Sequence, residues 1–387
     1  MLGLLTGLVD MAAGAILSAS AAVIARIPWA PLVIPPLLSF RGSVMGILAG
    51  RISTGIHLGT VQPSIRGNTR HFYSLLTSAY LMRLVGVAII TAATYVMAEA
   101  AFGGGLAPYD IAVPLLSSLE VSYLATLVVV MWVCSASYRL GVDPDYILYP
   151  AASSVADVFS IAALVAILYV YGVAGMPHVP LAVIALSAVV PVYMVRRGLV
   201  SRSEVYRVFR EALLSIAVVA VITSVTAVFL REIVLLGSLA PVILLIYPSL
   251  LTTIGDAGCM LGSTLTTKLH MGEVGGALGI AAATARVLMP ILAAYAVMLA
   301  VYGSVYPLAL GMDPGAVVRL LLPIVVAAGL MSLAAIAVLN AAVVGLTFRA
   351  GLDPDHFVNP IVSTVADLMG TVSLLAAAVA LAGWQTI

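Results

Sequence analysis

Charge is what this sequence lacks. Only 9% of its 387 residues are Asp, Glu, Lys or Arg, against about 25% in an ordinary soluble domain. A water-soluble globule is excluded on that ground. Lysine is almost missing, with Lys268 the single one and arginine supplying the other positive charges. The formal net charge is +1 with no basic tract, so nothing points to nucleic acid. The two cysteines, Cys134 and Cys259, both lie in apolar runs, which argues against a disulfide framework and against a Cys metal site. What fills the chain instead is apolar: 63% of its residues, in runs long enough to cross about 30 Å of hydrocarbon. The first run has no basic start and contains Asp10, so it reads as a mature helix and not as a cleaved signal.

The expected class is therefore an all-α polytopic membrane protein. Eleven apolar helices are predicted, near 3–25, 29–56, 72–101, 111–139, 144–173, 179–196, 207–230, 236–268, 275–303, 315–348 and 354–384. Gly- and Pro-rich connections separate several of them, as in AFGGGLAPYD at 101–110 and YGVAGMP at 171–177.

Two stretches say the same thing twice. Residues 141–157 read GVDPDYILYPAASSVAD and residues 351–367 read GLDPDHFVNPIVSTVAD, with nine of seventeen positions identical. The second helices repeat as well. Residues 35–59 and 248–272 align Pro35 with Pro248, Gly42 with Gly255, Thr54 with Thr267, His57 with His270 and Gly59 with Gly272. A fused duplication follows, divided as 1–175, a linker helix and Arg-rich segment at 176–203, and 204–387. Two five-helix repeats joined directly would be inverted; the extra helix at 179–196 makes them parallel, with a pseudo-twofold axis through a central pore. Most arginine-bearing loops (Arg139, Arg349, Arg66, Arg70 and the 196–210 segment) then fall on one side, leaving Arg26 and Arg231 as exceptions. The positive-inside rule makes that side cytoplasmic, with the N-terminus inside and the C-terminus outside a cell membrane.

The polar groups inside the apolar helices carry the chemistry. A carboxylate at mid-membrane costs roughly 2.5–3.5 kcal/mol on insertion scales, so Asp157 and Asp367 at matching places suggest a paired site. Asp143 and Asp353 read as helix caps, followed by Pro144 and Pro354. Pro150 and Pro360 are expected to interrupt the fifth helices, with Ser153 and Ser363 one turn later and the Asp one turn after that, on one face. A structural alternative is a protonated Asp bonding between helices. In the second helices Gly42-Ser43 matches Gly255-Asp256, so Asp256 is a third acid at membrane depth. It faces the same cavity or pairs with Arg41, Arg83 or Arg286. Glu120 reads as a partner for Arg83 or Arg41. His57 and His270 read as packed or interfacial, not as ligands. Carboxylates, hydroxyls and carbonyls make an all-oxygen site, which selects hard cations such as Mg²⁺, Ca²⁺ and Mn²⁺.

NPIVSTVAD with its preceding GLDPD, and PPLLSFRGS and PSLLTTIGD with the following Thr, His and Gly, resemble the membrane domain of the MgtE magnesium channels and of solute carrier family 41. The resemblance covers nearly the whole chain, twice. It implies a single-chain pseudo-dimer whose second and fifth helices line a pore for Mg²⁺, the transported ion, with no cofactor. It implies that Asp367 and Asn359 bind hydrated Mg²⁺, and that Asp157 does so with Tyr149 in place of the Asn. Gly42, Ser43, Gly255, Tyr149, Ser153 and Ser363 are the expected pore lining, and Asp256 an added metal ligand. Control by the cytoplasmic Mg²⁺-sensing domains of the bacterial members is not expected, because the chain begins almost at its first helix.

Three other readings remain open. One is an exchanger coupling Mg²⁺ to Na⁺ or H⁺ through the same acids. Another is an intramembrane aspartyl protease, for which Gly255-Asp256 is a partial motif spoiled by Thr253. The third is a membrane scaffold with no transport role. The parallel arrangement predicts that single cysteines placed beside Arg139 and beside Arg349 react with an impermeant thiol reagent from the same face. Labelling from opposite faces would mean inverted repeats.

Overall fold

The computed structural model describes residues 2–64, 67–102, 106–140, 145–310, 313, 315, 317–349 and 355–384. Every regular element among them is helical. The α-helices are α1 Leu2–Ala19, α2 Ala21–Arg26, α3 Ile34–His57, α4 Arg70–Phe102, α5 Pro108–Leu140 and α6 Asp145–Leu168. They continue as α7 His178–Arg196, α8 Arg202–Val234, α9 Ala240–His270, α10 Gly276–Leu310, α11 Leu322–Arg349 and α12 Asp355–Trp384. Ten of the described helices are long and apolar enough to cross a membrane, and Thr6–Ala19 is a shorter apolar helix. The protein is an all-α, multi-pass membrane protein. The first of the eleven predicted helices is split: Ser20 leaves helical geometry (φ −97°, ψ 4°) between α1 and α2.

Hydroxyl side chains survive in these apolar helices because they bond back to the backbone one turn earlier. Ser74 donates to the Arg70 carbonyl, Thr77 to Tyr73 and Ser78 to Ser74, at 2.7, 2.9 and 2.8 Å. Pro114 sits inside α5, where Ser118 donates to the Pro114 carbonyl at 2.7 Å. Contrary to the expected interruption, α6 and α12 are assigned as continuous helix through Pro150 and Pro360. Each proline is close to its helix start, so it removes a single backbone bond just beyond the turn whose N–H groups have no helical partner anyway.

The duplication is visible in how the second helices stop. Gly59 and Gly272 both adopt positive φ, 69° and 72°. Each N–H bonds back to a carbonyl of the last turn, Gly59 to Ile56 and Gly272 to Leu269. This is the left-handed helix stop that glycine adopts without a Cβ penalty.

Compact units do not follow chain order. One contains Gly3–Ser18 together with Phe229–Ile387; the other runs from Ala19 to Val228. Helix α1 therefore belongs to the unit that holds α9 to α12, and most of α8 to the unit that holds α2 to α7. In the first unit Ser249 Oγ donates to the Gly7 carbonyl at 2.8 Å and so accepts from the Tyr302 hydroxyl at 2.9 Å. In the second, Arg51 on α3 bonds Glu211 on α8 at 2.7 Å, and His71 on α4 pairs with Glu204. Within each unit the second helix lies along the fifth, α3 on α6 and α9 on α12.

Gly14 makes the α1–α9 approach possible. A Cβ there would stand 1.8 Å from the Leu245 carbonyl oxygen, so backbone would have to move. Gly14→Val is expected to cost about 1–3 kcal/mol, the usual range for overpacking. A lower thermal midpoint in detergent checks this, with Gly50→Val as control, since a Cβ at Gly50 meets nothing within 4 Å.

Candidate ion-binding site

In the unit running from Ala19 to Val228, the charges inside the membrane are paired. Helix α3 carries Arg41 and α6 carries Asp157. Arg41 Nη2 donates to Asp157 Oδ1 at 2.5 Å, with side chains 2% and 10% exposed. The sequence reading offered Arg41 to Asp256 or to Glu120; it bonds Asp157 instead. The second pair is Arg83 with Glu120, one of the partnerships expected. Arg83 Nε and Nη2 donate to the two Glu120 oxygens at 2.8 and 2.9 Å. The guanidinium also lies over the Tyr123 ring, 3.5 Å from its centroid. Two parallel bonds and an aromatic face suit the planar, delocalised arginine cation. Both pairs are closed against water, and the attraction and hydrogen bonds within each pair offset the desolvation of its charges.

The other unit holds acids in a different state. Asp256 on α9 and Asp367 on α12 are only half-buried. Both carboxylates bear electrostatically on the Cys259 thiol, one helical turn beyond Asp256, so the three share one neighbourhood. The Thr6 hydroxyl of α1 donates to Asp256 Oδ2 at 3.2 Å. Helix α12 is fixed next to α9 by a hydroxyl chain: Thr371 Oγ1 donates to the Asp367 carbonyl at 2.7 Å and meets the Tyr247 hydroxyl at 3.0 Å. Arg286, another partner offered to Asp256, is exposed.

The glycines next to Ser43 and Asp256 are open, whereas Gly258 is packed against Val362 and Ile336. A Cβ added at Gly42 or at Gly255 would meet nothing within 4 Å. Ser43 and Asp256 beside them are half-buried, as is Ser363 one turn before Asp367. Of the expected lining positions, Gly42 and Gly255 thus have free space beside them, and Ser43 and Ser363 are half-buried, as is the expected ligand Asp256. The side chains of Tyr149, Ser153 and Asn359 lie outside the described residues, as do those of His57 and His270 and all of Asp143 and Asp353.

Three polar residues of this unit were not picked as site residues from the sequence. Thr6 sits in an apolar run where a hydroxyl is usually bonded to its own helix. Asp10 was noted only as marking a mature helix, yet it is fully buried and acts on the Tyr302 hydroxyl. Asn340 on α11 is fully buried, and its amide donates to the Gly258 carbonyl at 3.1 Å. Asn340 has no signal in the repeat, since Val130 stands at the matching place. Among the described residues no group of three or more His, Cys, Asp and Glu side chains is gathered to grip a bare ion. Two carboxylates on an open face suit a cation that keeps several of its waters, as Mg²⁺ does.

The repeated second-to-fifth helix stretches decide the family. The profile of the divalent cation transporter family MgtE matches residues 34–167 and again 247–377. The chain belongs to the MgtE family. Comparison with curated proteins and with solved structures finds no match. The two MgtE regions begin with the second helix of each half, Ile34 opening α3 and Tyr247 lying early in α9. They thus contain Asp157, Asp256 and Asp367. The MgtE assignment makes this chain a divalent cation transporter, embedded in the membrane through many apolar helices.

The Arg83–Glu120 pair is structural within this frame. Glu120→Ala leaves a buried guanidinium unpaired and is expected to lose about 3–5 kcal/mol. Replacing both residues, Arg83→Met with Glu120→Leu, should cost less than the single change. Unfolding midpoints of the three proteins in detergent check the order.

Proposed function

We propose that the protein carries Mg²⁺ across the membrane and that Asp256 and Asp367 are the carboxylates the ion meets. The observation that carries this reading is the contrast between the halves: Asp157 is bonded to Arg41, whereas Asp256 and Asp367 stand half-open around Cys259. Mg²⁺ sheds water reluctantly and is commonly held by one or two carboxylates through its hydration shell. In this reading the hydroxyl of Ser363, one turn before Asp367, bonds such waters, and Thr6 holds Asp256 in place through its hydrogen bond. The central path lined by the second and fifth helices of both repeats, working as a single-chain pseudo-dimer, rests on the duplication. The N-terminus inside and C-terminus outside rest on the arginine distribution.

In this reading Arg41 stands in for a cation. Its guanidinium occupies Asp157 permanently, so one half of a formerly symmetric site is satisfied by the chain itself. Position 41 is matched by Ile254 in the second half, so the arginine is a feature of one repeat only. An exchanger coupled to Na⁺ or H⁺ is a second reading, favoured by Asp256, an acid whose mirror residue is the neutral Ser43.

Mg²⁺ flux into liposomes, read with an internal dye, tests the assignment. Asp367→Asn and Asp256→Asn should each lower the rate by about tenfold or more, the loss of roughly 1.4 kcal/mol of ion stabilisation. Parental flux in Asp367→Asn would sink the assignment. A flux that requires a Na⁺ or proton gradient would select the exchanger. Cys259 offers a reading independent of transport: with Cys134 replaced by Ser, Mg²⁺ should slow its reaction with a small thiol reagent.

Arg41→Ile tests the stand-in. Without its guanidinium Asp157 is buried and uncompensated, so the variant should unfold earlier than the parent in chelator. It should also gain more from Mg²⁺, because a ligand that binds only the folded state stabilises in proportion to its occupancy. An unchanged Mg²⁺ response would leave Arg41 a purely structural residue.

A further inference from the structure

We propose that a groove between α4, α7 and α8 is a binding site for an anionic phospholipid of the surrounding bilayer. The groove has a volume of about 610 Å³ and lies wholly within the unit from Ala19 to Val228. Its walls are apolar, formed by residues such as Leu81 on α4, Val192 on α7 and Phe209 on α8. That is a size ordinary for small-molecule sites. Helix α7, one wall of the groove, is itself little buried, with only 17% of its apolar stretch covered by the protein, so the groove lies beside a largely lipid-facing helix.

Charge complementarity selects the headgroup. Arg196, the last residue of α7, and Arg202, the first of α8, both line the groove and are exposed. They end and begin membrane-crossing helices, so they sit at membrane-surface depth while the apolar walls extend toward the hydrocarbon. Neither makes an ion pair among the described residues. The nearest acids along α8 are engaged elsewhere, Glu204 with His71 and Glu211 with Arg51. Arg197 lies over the Tyr193 ring, 5.4 Å from its centroid, and adds a third positive charge in the same turn. An apolar slot capped by uncompensated arginines matches one molecule with an acyl chain and a phosphate, since basic pockets between membrane helices recognise anionic headgroups. Neutral phospholipids would fill the slot but leave the guanidiniums without a net counter-charge.

The test uses the full-length protein in detergent, offered phosphatidylglycerol or phosphatidylcholine with identical acyl chains, with bound lipid counted by native mass spectrometry. The parent should retain phosphatidylglycerol about tenfold better, an excess that two surface arginines are able to supply. Arg196→Gln with Arg202→Gln should abolish the preference. Val192→Trp, which fills the slot and leaves both arginines, should lower retention of phosphatidylglycerol while the thermal midpoint without lipid stays near the parent's. Excess soluble glycerol phosphate should not displace the lipid; displacement would assign the arginines to a soluble anion and overturn the proposal. Equal retention of the two lipids by the parent would overturn it too. If the double Gln variant does not fold, the parental lipid ratio together with Val192→Trp decides, and undiminished retention in Val192→Trp counts against the site.

Discussion

A charge inside hydrocarbon must find its counter-charge within the protein, and this fold is organised by that requirement. In the unit from Ala19 to Val228 it is met by covalently attached partners. Arg41 reaches Asp157 between α3 and α6, and Arg83 reaches Glu120 between α4 and α5. Each pair ties two neighbouring helices at a chosen depth and register, because a slip of one turn would separate the charges. In the other unit the requirement is met by hydroxyls and by partial exposure, at Thr6 with Asp256 and in the half-open setting of Asp367. The first arrangement is closed to water. The second is partly open, which is the basis for proposing that an ion binds there.

That difference gives the duplication a meaning beyond symmetry. A homodimer of identical halves would present the same acids twice. Fusing the halves releases each from that constraint, and here they have diverged at the level of the acids: Arg41 against Ile254, Ser43 against Asp256, Glu120 against Leu330. Divergence left an arginine and a glutamate in the first half and an added aspartate in the second. The backbone frame was kept, down to the matched stops at Gly59 and Gly272.

Much of the frame was legible in the sequence. Nearly every helix was found from the length of its apolar run, the repeat from identical strings, and the Arg83–Glu120 pair as one of the two partnerships expected for Glu120. What escaped was tertiary choice. Nothing in the spacing of Arg41 says that it reaches Asp157 and not Asp256, since both lie at a similar depth. The buried partners of Asp10 and Asn340 depend on which helices are neighbours, and chain order misleads there because α1 and most of α8 belong to a different compact unit from the helix that follows each in the chain. Continuity through Pro150 and Pro360 was missed because one lost backbone bond near a helix start is a small penalty.

The placement of α1 also bears on how the protein is made. Its polar contacts reach far along the chain, Thr6 to Asp256 across 250 residues and Gly7 to Ser249 across 242. At typical synthesis rates that interval is roughly 12–50 s. During it α1 sits in or beside the bilayer with Asp10 and Thr6 lacking their final surroundings. Packing of the unit therefore waits on α9, and until then the growing chain presents a polar, incompletely housed helix to whatever insertase or quality-control machinery attends the membrane.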